Sequence, residues 1–214
     1  IPADLQRVPI VVNPRDCVPK DYIRGNIKAN MKLINKNKFI QKCRTHDEHA
    51  IIISGGPSID YKELKSVLSK YPKALTICVK HAYPGLIAND IKPDACILLD
   101  PRSIEGESTH GIKRKDLLKD LDEDTKFLLA SMTDPSVTNY LIEKKADIWG
   151  WHAFTESLRD DEDRKHSIKN NQVKIREDIG LPAGATLITG GTCAAMRAIG
   201  MLHTMGFRNL HLFG

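Results

Sequence analysis

Two glycine-containing turns carry the groups best suited to ligand chemistry in this chain. The first follows the apolar run 51–53 and contains Gly55, Gly56, Pro57 and Ser58. Glycines allow positive φ and let a ligand approach the backbone closely, and the start of a following helix attracts anions. We therefore predict that these four residues lie against an anionic ligand. The alternative is a plain strand-to-helix turn with Ser58 or Asp60 as the helix cap.

A second turn late in the chain has the same composition and consists of Thr189, Gly190, Gly191 and Thr192. A segment rich in small residues follows it and is predicted to be a helix, whose start would again favour an anion. The alternative is a tight helix start that needs small residues for packing. Because one domain holds two such turns, we predict that both lie at one sheet edge and bind the same phosphorylated molecule.

Asp100 ends the apolar run 95–99 and is the strongest candidate for a catalytic carboxylate. A carboxylate at the end of a strand faces the ligand crevice of an open α/β sheet, so Asp100 is predicted to bind a ribose hydroxyl, to hold Mg²⁺ beside phosphates, or to orient an acceptor for catalysis. The alternative is a turn residue before Pro101. Arg102 is predicted to pair with a phosphate or to be simply exposed.

The histidines and cysteines give weaker signals. Lys80 and His81 follow the second apolar run, and His81 is a candidate acid or base for which a loop position without function is favoured. His152 follows a later run and is a candidate to face the substrate. His46 and His49 lack the further ligands of a zinc pattern. The five cysteines include no CxxC pair, which favours a reducing, cytoplasmic location and buried, unpaired thiols at Cys78 and Cys96.

Short apolar runs alternate with amphipathic segments from residue 49 onwards, and this pattern predicts the fold. The runs are 50–54, 74–79, 95–99, 127–130, 148–149 and 210–213, and the helical segments include 61–70, 86–89, 137–144 and 192–205. Continuous apolar strands alternating with helices predict an α/β, Rossmann-like three-layer domain with a mostly parallel sheet. The most polar segment, 156–171, is predicted to be a mobile excursion from the sheet.

The first part of the chain has a different pattern. Residues 1–17 read as an extended arm with three prolines, and residues 18–42 have helical spacing of apolar residues. We therefore predict an arm and helix over residues 1–45 and a Rossmann-like nucleotide-binding domain over 46–214. Since a doubly wound sheet rarely ends directly after a strand, the domain is expected to continue beyond Gly214.

Composition excludes several classes of protein. The 214 residues carry 32 basic and 27 acidic side chains, a net charge of +5, which suits a phosphate-handling protein without requiring nucleic acid. No apolar run approaches the roughly 20 residues of a membrane span. Neither glycine turn matches GxxxxGK[ST] or GxGxxG, which disfavours a P-loop enzyme and a dinucleotide-dependent oxidoreductase.

Three blocks in this order resemble the MptE-like family, which includes archaeal 6-hydroxymethylpterin diphosphokinases and the Maf flagellin-glycosylation proteins. The blocks are residues 51–60, 78–101 and 188–214. Bacterial sialyltransferases that use a CMP-sugar donor share a comparable arrangement of the two turns. Lys80 and His81 depart from the small acidic or polar residues expected after the second strand.

The resemblance implies that Gly55–Ser58 contact the donor's phosphate or ribose, that Thr189–Thr192 close over the nucleotide, and that Asp100 lies between donor and acceptor, with or without Mg²⁺. It implies a transferase that moves either a diphosphate from ATP to a pterin-like alcohol or a sugar from a nucleotide-sugar. A non-catalytic nucleotide-binding module is the alternative. The acceptor and the oligomeric state, a homo-oligomer among the options, stay open.

Overall fold

The computed structural model describes residues 18–108, 111–154, 176–191 and 193–214. The predicted arm 1–17, the polar excursion 156–171 and Thr192 lie outside the described residues. Among the helices that the structure does describe, none is long and apolar enough to cross a membrane.

Strands and helices alternate as the apolar pattern predicts. The strands are β1 (His49–Ile53), β2 (Leu75–Val79), β3 (Ala95–Leu98), β4 (Lys126–Ala130), β5 (Asp147–Ala153), β6 (Leu187–Ile188) and β7 (Asn209–Phe213). The helices are α1 (Lys20–Leu33), α2 (Tyr61–Lys70), α3 (Tyr83–Ala88), α4 (Pro135–Glu143) and α5 (Ala194–Thr204), with a 3₁₀-helix at Arg114–Leu118. β6 is the one strand in this set that the sequence pattern did not indicate, because only two of its residues pair with β5.

All strand pairs are parallel, in the order β6-β5-β4-β3-β2-β1-β7. The central strands are apolar throughout and buried, as expected for a parallel sheet covered on both faces. The chain steps across the sheet from β1 to β6 and then returns through α5 to β7, beside β1. Because parallel crossovers are right-handed, the return places α5 on the face opposite α2 and α4, and α5 packs against β1, β2, β3 and β6. The predicted Rossmann-like α/β class is confirmed.

The N-terminal helix is shorter than the predicted segment 18–42. It ends at Leu33, since Ile34 adopts extended backbone angles and the Asn35 side chain accepts a hydrogen bond from the Asn37 amide at 2.9 Å. Asparagine favours such local turns over helix. The chain then reaches the sheet, where Phe39 forms a parallel bridge to Gly150. A Cβ on Gly150 would lie 2.6 Å from the Phe39 ring, so the glycine makes room for this contact.

Asn30 fastens α1 to the segment after β4. Its side chain is fully buried, donates to the carbonyls of Ser131 (2.8 Å) and Thr133 (2.5 Å), and accepts from the Thr138 hydroxyl at 2.6 Å. Nearby, Asn26 donates to two further carbonyls of the same edge of the sheet. Buried polar groups are costly without partners, so this set of bonds fixes where α1 lies.

His152 forms a second buried polar contact in the core. It is 4% exposed, and its Nδ1 lies 2.5 Å from the hydroxyl of Ser131, which is fully buried. Burial, with a smaller contribution from the Arg197 charge, lowers the pKa of His152 to about 4. The histidine is therefore neutral at pH 7, and its burial argues against the contact with a substrate that its position in the sequence suggested.

We predict that Asn30→Ala lowers the free energy of unfolding by roughly 2–3 kcal/mol, because two carbonyls and a hydroxyl lose their buried partner. Urea denaturation measures the loss. Asn37→Ala is the matched control, since Asn37 is exposed, and its effect should stay within about 0.5 kcal/mol. Equal effects of the two substitutions would contradict the proposed docking of α1.

We also predict an acid-sensitive stability that depends on His152. The unfolded chain takes up the proton near the ordinary pKa of 6.5, whereas the folded chain does so only near 4, so stability is full above 6.5 and falls as the pH drops through this window. Linkage gives a loss of about 3 kcal/mol by pH 4. His152→Gln should flatten this part of the stability profile, while the exposed control His203→Gln should not.

Candidate functional site

The carboxyl edge of the sheet gathers the predicted site residues. Because all seven strands are parallel, the segments that follow β1, β2, β3 and β6 leave the sheet at the same edge. These segments hold residues 55–58, 80–81, 100–102 and 189–191. Ligands of open α/β sheets bind at this edge, so a ligand site of this chain is expected there.

The first glycine turn lies where the direction of winding reverses. β1 leads towards β2, whereas its other neighbour, β7, is reached by the return crossover, and such switch points form the ligand crevice of doubly wound sheets. The Ser54 amide donates to the Phe213 carbonyl at 2.7 Å. A Cβ on Gly56 would lie 2.6 Å from the carbonyl carbon of Gly214. The turn and the end of β7 therefore pack so closely that residue 56 must be glycine.

Asp60, not Ser58, caps α2. Its carboxylate accepts hydrogen bonds from the amides of Lys62 (2.8 Å) and Glu63 (3.1 Å), as the sequence alternative expected. An acidic cap already occupies two of the amides that would attract a phosphate. Contacts between this turn and a ligand are thus left to residues 55–58 themselves.

The second glycine turn is shaped by α5. Gly190 has φ +140°, and a Cβ there would lie 2.9 Å from the Met196 carbonyl oxygen. Arg197 is buried and donates from Nη1 to the Ile188 carbonyl at 2.7 Å, which pins the end of β6 to the helix. Cys193, at the start of α5, makes no side-chain cap. Thr192, the fourth predicted residue of this turn, is not among the described residues.

The two turns share an edge but not a pair of neighbouring strands. β2, β3, β4 and β5 lie between β1 and β6, which corresponds to about 24 Å along a flat sheet at about 4.8 Å per strand. The first turn packs against His81 and Gly214, and the second against Met196 and Arg197. A single nucleotide held by both turns would have to cross the ends of the intervening strands, where Asp100 lies.

Four charged side chains meet at the ends of β2 and β3, and we call them the cationic cluster: Lys80, Asp100, Arg102 and Arg114. Lys80 Nζ lies 3.2 Å from Asp100 Oδ2, and Arg102 contacts both carboxylate oxygens, with Nε 2.8 Å from Oδ1 and Nη2 3.2 Å from Oδ2. Arg114 Nε lies 3.4 Å from Oδ2. Three cations therefore surround one carboxylate.

Arg114 is the member of the cluster that sequence reasoning missed. It begins the 3₁₀-helix and returns to Asp100 through a loop in which its amide donates to the Gly106 carbonyl at 2.9 Å. Its Nη1 donates to the Ser103 carbonyl at 2.8 Å. A Cβ on Gly106 would lie 2.3 Å from Nη1, so the absence of a side chain at residue 106 makes room for Arg114. This glycine is a sequence signal for the position of Arg114, but it can be interpreted only after the folded structure shows which residue lies next to it.

Burial and charge act in opposite directions on this cluster. Burial disfavours the charged form of Asp100, but the hydrogen bonds and charges of Arg102 and Lys80 outweigh it and lower the pKa to about 2. Burial lowers the pKa of Lys80, and the neighbouring carboxylate opposes that change. Asp134, which caps α4 and accepts from Tyr22, adds a second carboxylate near Arg114. Among the residues that the structure describes, these three cations face two carboxylates, which leaves a positive excess within this set of side chains.

Mg²⁺ finds few ligands in this arrangement. Both oxygens of Asp100 already face cations, and within the described ranges no three His, Cys, Asp or Glu side chains group to hold a metal ion. Divalent cations of this type prefer several oxygen ligands. The described residues alone therefore do not form a Mg²⁺ site, and metal binding by Asp100 stays a prediction.

The chain is similar to known proteins over most of its length. Among solved structures, the chain is similar to a Maf glycosyltransferase from Magnetospirillum magneticum AMB-1, with a TM-score of 0.58 and 17% sequence identity. The match covers 91% of this chain and 27% of that one, so the chain spans about a quarter of the length of its neighbour, and at this identity the likeness concerns the fold. No curated protein sequence matches the chain significantly.

A family model gives the more specific result. The model described as 6-hydroxymethylpterin diphosphokinase MptE-like matches residues 22–214, which includes both glycine turns and the whole cationic cluster. The match extends over nearly all of the sequence and spans the three blocks 51–60, 78–101 and 188–214. The chain therefore belongs to the MptE-like family.

Proposed function

We propose that this chain is the nucleotide-binding part of a group transferase. Two reactions fit: transfer of a diphosphate from ATP to a pterin-like alcohol, and transfer of a sugar from a nucleotide-sugar. The family description names the first chemistry and the structural neighbour is named for the second. The single observation that carries the proposal is a cationic cluster beside a glycine turn at the switch point of the sheet.

Both reactions expel a nucleotide and need the same electrostatic help. In diphosphate transfer the acceptor oxygen bonds to the β-phosphorus of ATP, and AMP leaves with the electron pair of the broken bond. In sugar transfer the acceptor oxygen bonds to the anomeric carbon, the bond from that carbon to the phosphate oxygen breaks, and the nucleotide leaves with the electron pair of that bond. In both reactions the acceptor hydroxyl loses its proton to the solvent. Because negative charge grows on the leaving phosphate, cations that are already in place stabilise the transition state.

In the proposed site, some residues of the carboxyl edge bind the donor and others stabilise the charge on the leaving phosphate. Gly55–Ser58 contact the ribose or a phosphate, and Thr189–Thr192 contact another part of the same donor. Lys80, Arg102 and Arg114 face the leaving phosphate. Asp100, between donor and acceptor, orders these cations, and its ion pairs support this positioning role better than direct Mg²⁺ ligation.

A non-catalytic nucleotide-binding module is the second candidate, and one observation favours it. Asp100 is the carboxylate at this edge that was expected to act on a substrate, but it is paired with cations and has a pKa of about 2. Such a group is a weak base at neutral pH. Product analysis with each donor separates the two candidates, since a module binds a nucleotide without releasing AMP or another nucleotide product.

We predict that a nucleotide raises the melting temperature of the chain. A ligand at 100 times its dissociation constant adds about 2.7 kcal/mol to the stability of the folded state, which raises Tm by several degrees in a protein of this size. Thermal unfolding with ATP, CMP, a CMP-sugar and NAD is the measurement. If ATP, CMP and the CMP-sugar all leave Tm unchanged, the proposed function is wrong.

We predict that Gly56→Ala removes this nucleotide-induced rise in Tm. The added methyl would meet the backbone of Gly214, so the first turn must move away from the position at which it contacts the ligand. Gly25→Ala is the control, because a Cβ at this position of α1 meets no atom within 4 Å. Cooperative unfolding of Gly56→Ala together with an unchanged nucleotide response would place the ligand elsewhere.

A further inference from the structure

We propose that the cationic cluster is a phosphoryl-binding site in which Asp100 is an internal counter-ion that competes with the ligand. The anion site itself is argued from the cluster alone. Its assignment to the phosphate of a nucleotide deepens the proposed function and rests on it.

Charge balance is the first argument. Within the described part of the chain, Lys80, Arg102 and Arg114 carry three positive charges, and Asp100 with nearby Asp134 carries two negative ones. Lys80 and Arg114 are each only 8% exposed, so water screens them little. Taking cations out of water is costly unless they are fully paired, and a further anion next to them would be strongly favoured.

An unsatisfied donor is the second, independent argument. Arg114 Nε is buried and makes no hydrogen bond, since Asp100 Oδ2 at 3.4 Å lies within ion-pair range only. Buried donors in native proteins are nearly always satisfied, so this N–H is a group to which an additional acceptor could bond. A phosphoryl oxygen that displaces Asp100 Oδ2 would give this N–H the acceptor that the protein does not supply.

Arg102 provides the route for the ligand. Its side chain is 42% exposed, in contrast to Lys80 and Arg114, and its guanidinium holds both oxygens of Asp100. A guanidinium that binds a carboxylate in this forked way binds a phosphoryl group equally well. An arriving phosphate can thus take over Arg102 from Asp100 while Lys80 and Arg114 stay in place beneath it.

If Asp100 competes with the ligand, Asp100→Asn should increase the affinity for the ligand instead of reducing it. This substitution keeps the size of the side chain but removes its negative charge, so the affinity for inorganic pyrophosphate should rise at least tenfold, as expected for one charge lost within about 5 Å at an effective dielectric constant near 20. Isothermal titration calorimetry measures the affinity. Without pyrophosphate the variant should melt below the wild type, and pyrophosphate should remove the difference.

Two further variants make the result specific. Arg102→Gln should weaken pyrophosphate binding at least about tenfold, because it removes the exposed cation and leaves Asp100 in place. Asp122→Asn is the matched control: Asp122 is also a little-exposed carboxylate in an ion pair, with Lys92, but it precedes β4 at the other edge of the sheet. Its affinity for pyrophosphate should equal that of the wild type.

Opposite outcomes would overturn the inference. If Asp100→Asn binds pyrophosphate more weakly than the wild type, Asp100 contacts the ligand or a metal directly and does not compete. If neither protein binds pyrophosphate, the cluster is not an anion site. The proposed function fails separately, because loss of all nucleotide responses, with the pyrophosphate pattern intact, would leave an anion site without a nucleotide.

Discussion

Parallel pairing of all seven strands is the constraint on which the rest of the structure depends. A parallel sheet requires a crossover between successive strands and a cover on both faces, so the strand interiors are apolar and the polar side chains concentrate where the strands end. The return of the chain through α5 to β7 then creates the switch point beside β1. The fold thus places a row of strand ends, with their turns, along a single edge.

The charges at the ends of β2 and β3 gain their properties from that placement. A carboxylate that water surrounded would have little influence on its neighbours, but Asp100 is largely buried and contacts three cations. The same burial that disfavours each charge strengthens the attraction between them. This balance explains why the pKa of Asp100 falls to about 2 although burial alone would raise it.

The two glycine turns have similar composition and different surroundings. At the first turn, a side chain on Gly56 would collide with Gly214 at the end of β7. Glycine is needed there because the ends of β1 and β7 pack closely at the switch point. At the second turn, a side chain on Gly190 or Gly191 would come too close to Met196 of α5. Glycine is needed there because α5 packs on the turn that precedes it. Both turns face the carboxyl edge, but only the first lies at the crevice between oppositely wound halves.

By itself the sequence determined the alternation of apolar strands and helices, the Rossmann-like class, the Asp60 cap of α2 and the burial of Cys78 and Cys96, because these follow from local periodicity and spacing. It could not determine that α1 ends at Leu33 and that the chain then reaches the sheet, where Phe39 pairs with Gly150. Nor could it find Arg114, which approaches Asp100 only through a loop of the folded chain, or show that four strands separate the two turns. Those features depend on which distant segments of the chain meet in space, and only the tertiary structure decides that.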